Sequence, residues 1–177
     1  MKNFIVILVF LLVGQQNLYA QKTTIWVVRH AEKETSDPKD KDPDLSPEGK
    51  ERAGMLAKHL KGEKIDSIFS TNYKRTKLTG YPTADKIGIA IKTYDASKLK
   101  EFADGLLKNA KGKKMLIIGH SNTVQELLVA FGVPKPVKDL TDDDYDYIFT
   151  LTIKSDKKED KKEVKVDRYG AEHHTKQ

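Results

Sequence analysis

The 177-residue chain contains no cysteine, and that absence excludes a disulfide scaffold, a thiolate nucleophile, a thiolate metal site and a lipid-modified N-terminal cysteine. A chain of this length buries a sufficient core without covalent staples, so the lack of cysteine costs it nothing in stability. Aromatic residues are also few, at 8%, and they do not interleave with basic residues as a stacking surface for single-stranded bases requires. Charge of one sign is scarce as well: 32 Lys and Arg face 26 Asp and Glu, well mixed along the chain. Such a mixture reads as a solvated surface, and no nucleic-acid partner is expected. Long apolar runs are missing except for one.

That run is Phe4 to Val13, preceded by Met1-Lys2-Asn3 and followed by the polar stretch Gln15 to Ala20. A short positive start, an apolar core about half the length needed to span a bilayer, and a small final residue form the three-part layout of a secretory signal peptide. We therefore read residues 1–20 as a signal peptide cleaved after Ala20 and residues 21–177 as a single domain. The expected location is periplasmic or secreted, with no membrane association after cleavage. An uncleaved anchor is the alternative.

Within the remainder, Thr24 to Arg29, Ser67 to Ser70, Ile91 to Tyr94 and Met115 to Gly119 read as strands. Between them lie helical patterns. Ser46-Pro47-Glu48-Gly49 opens the first, with Ser46 as N-cap and Pro47 at the first helical position, and Lys61-Gly62 closes it. A second runs from Asn72 to about Ile87, with an interruption expected at Gly80 and Pro82. A third, Ser97 to Asn109, turns Leu99, Phe102, Ala103, Leu106 and Leu107 inward, and a fourth spans Asn122 to Phe131. Strands alternating with helices argue for a layered α/β fold. Tyr145 to Lys154 and Glu163 to Tyr169 read instead as a hairpin around the charged run Ser155 to Lys162, which makes the sheet mixed, with the hairpin at one edge.

Ligands of α/β sheets gather beyond the carboxyl ends of the strands. The first strand delivers Arg29-His30-Ala31-Glu32 there, the second Ser70-Thr71-Asn72 followed by Arg75-Thr76, and the fourth Gly119-His120-Ser121-Asn122-Thr123. Two Arg and two His converging from three strand ends form a compact cationic pocket. Such a pocket suits a phosphoryl group, whose oxygens the Arg forks bind bidentately while spreading the charge that develops in transfer. A neutral imidazole near pH 7 is itself nucleophilic towards phosphorus.

Here the chain resembles the histidine phosphatase superfamily, the phosphoglycerate-mutase-like proteins. The resemblance rests on Arg29-His30-Ala31-Glu32 after a strand, on Asp44-Leu45-Ser46-Pro47-Glu48-Gly49 with Arg52-Ala53, on Ser70 through Arg75-Thr76 and Thr79, and on Gly119-His120-Ser121-Asn122-Thr123. Order and spacing agree from residue 24 to about 131, and the short length is that of the bacterial phosphohistidine phosphatases. The fold this implies is a three-layer α/β/α sandwich with a mixed, mostly parallel sheet. His30 would be the nucleophile and carry a phosphohistidine intermediate. Arg29 and Arg75 would clamp the phosphoryl oxygens, and His120 would add a third contact as an imidazolium.

The proton donor has no matching motif. Asp95, just beyond the third strand, is the candidate acid, with an N-terminal dipole residue as its other reading. Glu32 belongs to the motif and is a second candidate, unless it only orients neighbours. His173-His174 lack a third ligand and read as exposed polar residues, as does His59, and no metal or other cofactor is expected. The sequence thus points to an exported, metal-independent phosphatase acting on a small phosphorylated molecule or a phosphoprotein. The alternatives are a catalytically weak phospho-ligand binding protein of the same fold and, on charge alone, a basic polyanion- or envelope-binding protein.

Overall fold

A computed structural model describes residues 21–155 and 159–174. The segment read as a signal peptide and the tip of the charged hairpin at residues 156–158 lie outside them. Six strands form one sheet: β1 (Gln21–Arg29), β2 (Ser67–Ser70), β3 (Ile91–Thr93), β4 (Lys114–Gly119), β5 (Tyr147–Ser155) and β6 (Lys161–Arg168), in the order β3-β2-β4-β1-β5-β6. The first four in that order run parallel, and β5 and β6 join antiparallel at the β1 edge. Four α-helices cover the faces: α1 (Pro47–His59), α2 (Lys74–Ile87), α3 (Leu99–Asn109) and α4 (Val124–Ala130). This is the expected three-layer sandwich.

The two cores follow from the period of two along β1. Ile25 and Val27 pack with Ala103 of α3 and with Val124, Leu127 and Leu128 of α4. Trp26 and Val28 face the opposite way, to Leu56 of α1 and Ala84 of α2. A strand covered on both faces needs apolar side chains at every position, which is why Ile25 to Val28 reads as an unbroken run. Each such fully buried aliphatic side chain contributes about 1.5–3 kcal/mol. The antiparallel edge differs: the residues of β6 alternate between exposed and half-buried, leaving one face to solvent.

Where element bounds depart from expectation, the causes are local. β1 begins three residues earlier, because Gln21 to Thr23 pair with Ile153 to Ser155 of β5. The interruption expected in α2 does not occur: the helix is continuous, with Pro82 inside it. A Cβ on Gly80 would lie 3.0 Å from Ile118, so the glycine lets α2 press onto the sheet. α4 starts two residues late because the preceding segment is a tight turn, in which the amides of Thr123 and Val124 both donate to the His120 carbonyl at 2.9 and 3.0 Å. In α3 only Ala103 is fully buried, and Leu99, Phe102, Leu106 and Leu107 pack half-buried against the same core.

Candidate active site

The register of the parallel strands sets the site. Arg29 pairs with Gly119 and Ser70 with Ile118, so the carboxyl ends of β1, β4 and β2 lie level. The His30 amide extends the ladder one residue further, donating to the Gly119 carbonyl at 2.9 Å. The Ala31 amide then donates to Thr79 Oγ1 of α2, also at 2.9 Å. Two adjacent backbone amides are thus tied to different elements, and the ring between them is held in place. Beyond these strand ends opens a cleft of about 790 Å³ whose walls include Arg29, His30, Arg75 and His120.

His30 is 5% exposed, and its Nδ1 lies 2.7 Å from the Ala31 carbonyl oxygen. A carbonyl only accepts, so Nδ1 carries the proton and donates, and Nε2 keeps its lone pair. Burial lowers the pKa of His30 to about 3, opposed by the Ala31 bond and assisted by the charges of Arg29, His120 and Arg75. The ring is therefore neutral at pH 7, with its free nitrogen fixed. That is the state an attacking imidazole needs.

His120 stands 5.3 Å from His30, ring centre to ring centre and edge to face. Its Nε2 lies 2.9 Å from Thr71 Oγ1, which lies 2.9 Å from Thr76 Oγ1. Thr76 donates its single hydroxyl proton to the Tyr73 or Thr71 carbonyl. Thr71 must then donate to Thr76 and accept from His120, which places the His120 proton on Nε2. Burial, followed by the Arg75 and Arg29 charges, lowers the pKa of His120 to about 4. Half-buried and next to two guanidiniums, the ring is neutral in the free protein at pH 7, so the imidazolium implied by the resemblance would need the added negative charge of a bound anion.

Arg29 is buried, and its Nη1 donates to the carbonyls of Thr141 and Asp142 at 2.7 and 3.1 Å. Its guanidinium carbon lies 4.0 Å from the centre of the Tyr145 ring, a cation–π contact. Arg75, in the first turn of α2, stacks likewise on Tyr73 at 4.3 Å and reaches Asp42 at 3.7 Å. The Nε atoms of both arginines are buried and have no hydrogen-bond partner among the described residues. An incoming anion has these two cations and both histidine rings around it.

The two candidate acids are placed differently. Asp95 does not line the cleft. It caps the 3₁₀ turn Ala96–Lys98, accepting from the Ser97 amide at 2.9 Å and the Ser97 hydroxyl at 2.7 Å. Those two bonds hold its carboxyl below its ordinary pKa, so it is a weak proton donor facing solvent. This corrects the expectation that Asp95 is the acid.

Glu32 borders the cleft, but Arg52 Nε reaches its two oxygens at 2.8 and 3.0 Å, and Arg52 Nη2 adds a contact of 2.8 Å. Arg52 also donates to the carbonyls of Tyr169 and Ala171. The pair ties the end of β1, helix α1 and the C-terminal segment together, which makes Glu32 an anchor. α1 approaches so closely that a Cβ on Gly49 would sit 2.1 Å from the Glu32 carbonyl oxygen.

Two lining residues were not singled out from sequence, and a third, His173, was given a different place. Tyr145 sits 6.1 Å from the His30 ring, and Tyr73 5.1 Å from the His120 ring. His173, expected to be an exposed polar residue, is half-buried and lines the cleft. Tyr73 stands beside Arg75 at the start of α2, where no pattern distinguishes it from a surface residue, and Tyr145 and His173 are brought in by contacts between segments distant in the chain. Among the described residues, no three His, Asp or Glu side chains cluster as metal ligands, and no helix is long and apolar enough to cross a membrane.

The sequence profile of the histidine phosphatase superfamily (branch 1) matches residues 25–102. Phosphoserine phosphatase 1 of Hydrogenobacter thermophilus is 44% identical over 64 residues, a stretch that covers 33% of this chain and 30% of that relative's length. Among solved structures, a mycobacterial glucosyl-3-phosphoglycerate phosphatase in complex with VO3 superposes with a TM-score of 0.66 at 11% identity, covering 83% of this chain and 99% of that one. The protein histidine phosphatase SixA in complex with tungstate superposes with a TM-score of 0.60 at 17% identity, over 74% and 88% of the two chains.

Proposed function

We propose that this chain is a phosphatase of the histidine phosphatase superfamily, whose profile matches residues 25–102, and that it hydrolyses a phosphomonoester or phosphoramidate through a phosphohistidine on His30. The observation that carries this reading is the fixed tautomer of His30: its Nδ1–H is held by the Ala31 carbonyl, and the ring is kept neutral beside Arg29 and Arg75. Nε2 attacks phosphorus in line, and the bond to the leaving oxygen breaks. Water then attacks the phosphohistidine and restores the imidazole. Arg29 and Arg75 balance the charge on the equatorial oxygens throughout. A bound dianion draws a proton onto His120, turning a neutral neighbour into a third electrostatic contact.

Metal plays no part in this scheme, since the two guanidiniums supply the positive charge. Two structural neighbours hold VO3 and tungstate, and by the same chemistry vanadate should inhibit this chain. The substrate is a small phosphorylated molecule or a phosphoprotein. With residues 1–20 acting as a signal peptide, the enzyme works in the periplasm or outside the cell.

Rapid quenching during turnover of a labelled phosphomonoester tests the mechanism. The expected product is an acid-labile, alkali-stable phosphoramidate on His30, with both label and turnover lost in His30→Ala. Label on Ser121, or full turnover by His30→Ala, overturns the reading. Tight phosphate binding without turnover would instead mark a binding protein of this fold.

A further inference from the structure

The scheme above leaves the leaving oxygen without a proton, because Asp95 faces solvent and Glu32 is committed to Arg52. The C-terminal segment brings another group into the cleft. After β6 the chain crosses back over the end of β5, and three separate bonds fix His173. Its amide donates to Asp146 Oδ2 at 3.2 Å, its carbonyl accepts from the Tyr145 amide at 2.9 Å, and its ring Nδ1 lies 2.7 Å from the Asp143 carbonyl. The ring stands edge to face with Tyr145 at 5.1 Å, and Tyr145 stands in turn 6.1 Å from His30. One aromatic side chain therefore stands between His173 and the nucleophile, and both histidines line the same cleft.

The segment that carries His173 is built to stay in place. Asp146, 1% exposed, accepts from Arg168 and from His174 Nδ1, each at 2.6 Å, besides the His173 amide. Burial works to raise Asp146, but the bonds from His174, the His173 amide and Arg168 outweigh it and hold the carboxyl ionised. Arg52 fastens the same segment through the Tyr169 and Ala171 carbonyls. The outcome is a backbone strap with a half-buried imidazole aimed along one wall of the cleft.

The tautomer of that imidazole follows from the rule applied to His30. Nδ1 faces a carbonyl and therefore carries a proton, so Nε2 is where the ring gains or gives one. Nε2 has no hydrogen-bond partner among the described residues.

We propose that His173 is the general acid of the reaction, delivering the proton to the leaving oxygen from Nε2. This rests on the phosphatase reading. In the first step the His30 Nε2–phosphorus bond forms as the phosphorus–oxygen bond breaks. The electron pair of that bond stays on the leaving oxygen, which takes the Nε2 proton of the His173 imidazolium. In the second step water attacks phosphorus and gives a proton to the now neutral His173, and the phosphorus–nitrogen pair returns to His30. Atoms and charge balance over the cycle. The assignment would let a chain without a carboxyl donor in its motifs act on leaving groups poorer than an aryl oxide.

The experiment is a leaving-group series in His173→Asn, whose amide keeps the donor to the Asp143 carbonyl while removing Nε2. We expect kcat/KM for an alkyl phosphomonoester such as phosphoserine to fall about 10²–10³-fold and that for 4-nitrophenyl phosphate to change less than about threefold, since a general acid contributes roughly 10²–10⁴-fold only where the leaving oxygen needs the proton. The plot of log kcat/KM against leaving-group pKa should steepen accordingly. A structural loss would lower both substrates together and shift the melting temperature. His173→Gln, which leaves an uncharged amide in the ring's place, should show the same selective loss.

Equal losses on both substrates, or none, overturn the assignment while wild-type turnover and the His30 label remain. A selective loss in Asp143→Asn but not in His173→Asn gives the role to Asp143 and overturns it too. Absence of wild-type turnover on every phosphate tested overturns the phosphatase reading itself, and this assignment with it.

Discussion

The two walls of the cleft are made by different means. One wall consists of strand ends and the turns directly after them: Arg29 and His30 from β1, Arg75 from the first turn of α2, His120 from the turn after β4. Each is placed by its immediate neighbours and by a parallel register that holds three strand ends level. The facing wall holds Tyr145, Asp142, Asp143 and His173, from the loop before β5 and the strap after β6. Those residues are placed by contacts between distant segments, 27 positions apart for the His173 amide with Asp146 and more than a hundred for Arg29 with the Thr141 carbonyl and Arg52 with the Tyr169 carbonyl. In the proposed reaction the first wall would hold the phosphoryl group and the second would meet whatever is attached to it.

Removing the joint between the walls should have the largest effect. Arg52→Ala leaves Glu32 buried and unpaired and frees the Tyr169 and Ala171 carbonyls. Breaking a buried pair from one side costs about 3–5 kcal/mol. Denaturant unfolding should report that loss, and the double change Glu32→Gln with Arg52→Met should recover part of it. A loss below about 1 kcal/mol would mean that the joint is not what holds the strap.

Damage confined to the phosphoryl wall should leave stability alone. Arg75→Ala is expected to lower kcat about 10²–10³-fold on aryl and alkyl phosphates alike, because it removes charge stabilisation common to both, as loss of an oxyanion donor does. This uniform loss contrasts with the selective one expected at His173. A leaving-group-dependent loss in Arg75→Ala would blur the division between the walls.

Acid sharpens the comparison further. His30 and His120 have native pKa values lowered from the usual 6.5 to about 3 and about 4. Between those values and 6.5 the unfolded chain binds protons that the native chain refuses, so stability is full above about pH 6.5 and falls as the pH drops towards 4. The loss is on the order of a few kcal/mol for the two rings together. Replacing both by Gln should flatten the dependence of unfolding free energy on pH over that window. The same shift keeps His30 unprotonated in the free enzyme, so the acid limb of kcat/KM should not be set by a His30 titration near pH 6.5. A His30 proton uptake at pH 6–7, seen by NMR, would contradict both expectations.

The smallest effect is expected at Asp95. Asp95→Asn retains a capping oxygen for the Ser97 amide, so activity on alkyl and aryl phosphates should change less than about threefold. Asp95→Ala should cost about 1 kcal/mol of stability through the lost cap. A hundredfold loss on alkyl phosphates would return Asp95 to the reaction.

The layered order of β1 to α4, the edge hairpin, the Ser46 cap and the gathering of Arg29, His30, Arg75 and His120 at one cleft are all legible in the sequence, because each rests on a local pattern. Alternation, an apolar run covered on both faces, a capping serine before proline, and Arg or His at a strand end are written within a few neighbouring residues. The continuity of α2 through Pro82 was not legible, since Gly and Pro within a helical pattern read locally as a break, and the close approach of Gly80 to Ile118, 38 positions away, shows only in the fold. The fate of the carboxyl groups was hidden for the same reason. Asp95 and Glu32 both stand near strand ends, and only the folded chain shows one capping a turn and the other taken by Arg52. The protonation states of His30 and His120 also required tertiary structure, because they follow from burial and from the particular carbonyl or hydroxyl each nitrogen meets. His173 lay in a charged tail that promised nothing, and its position follows from a buried carboxylate at Asp146 and a guanidinium at Arg52 that hold the strap from opposite sides. Sequence by itself determined which groups stand at the ends of the strands, since strand period and motif are local properties of the chain. Tertiary structure alone decided which charges are already spent on one another, because desolvation and pairing depend on neighbours that the chain brings together only when it folds.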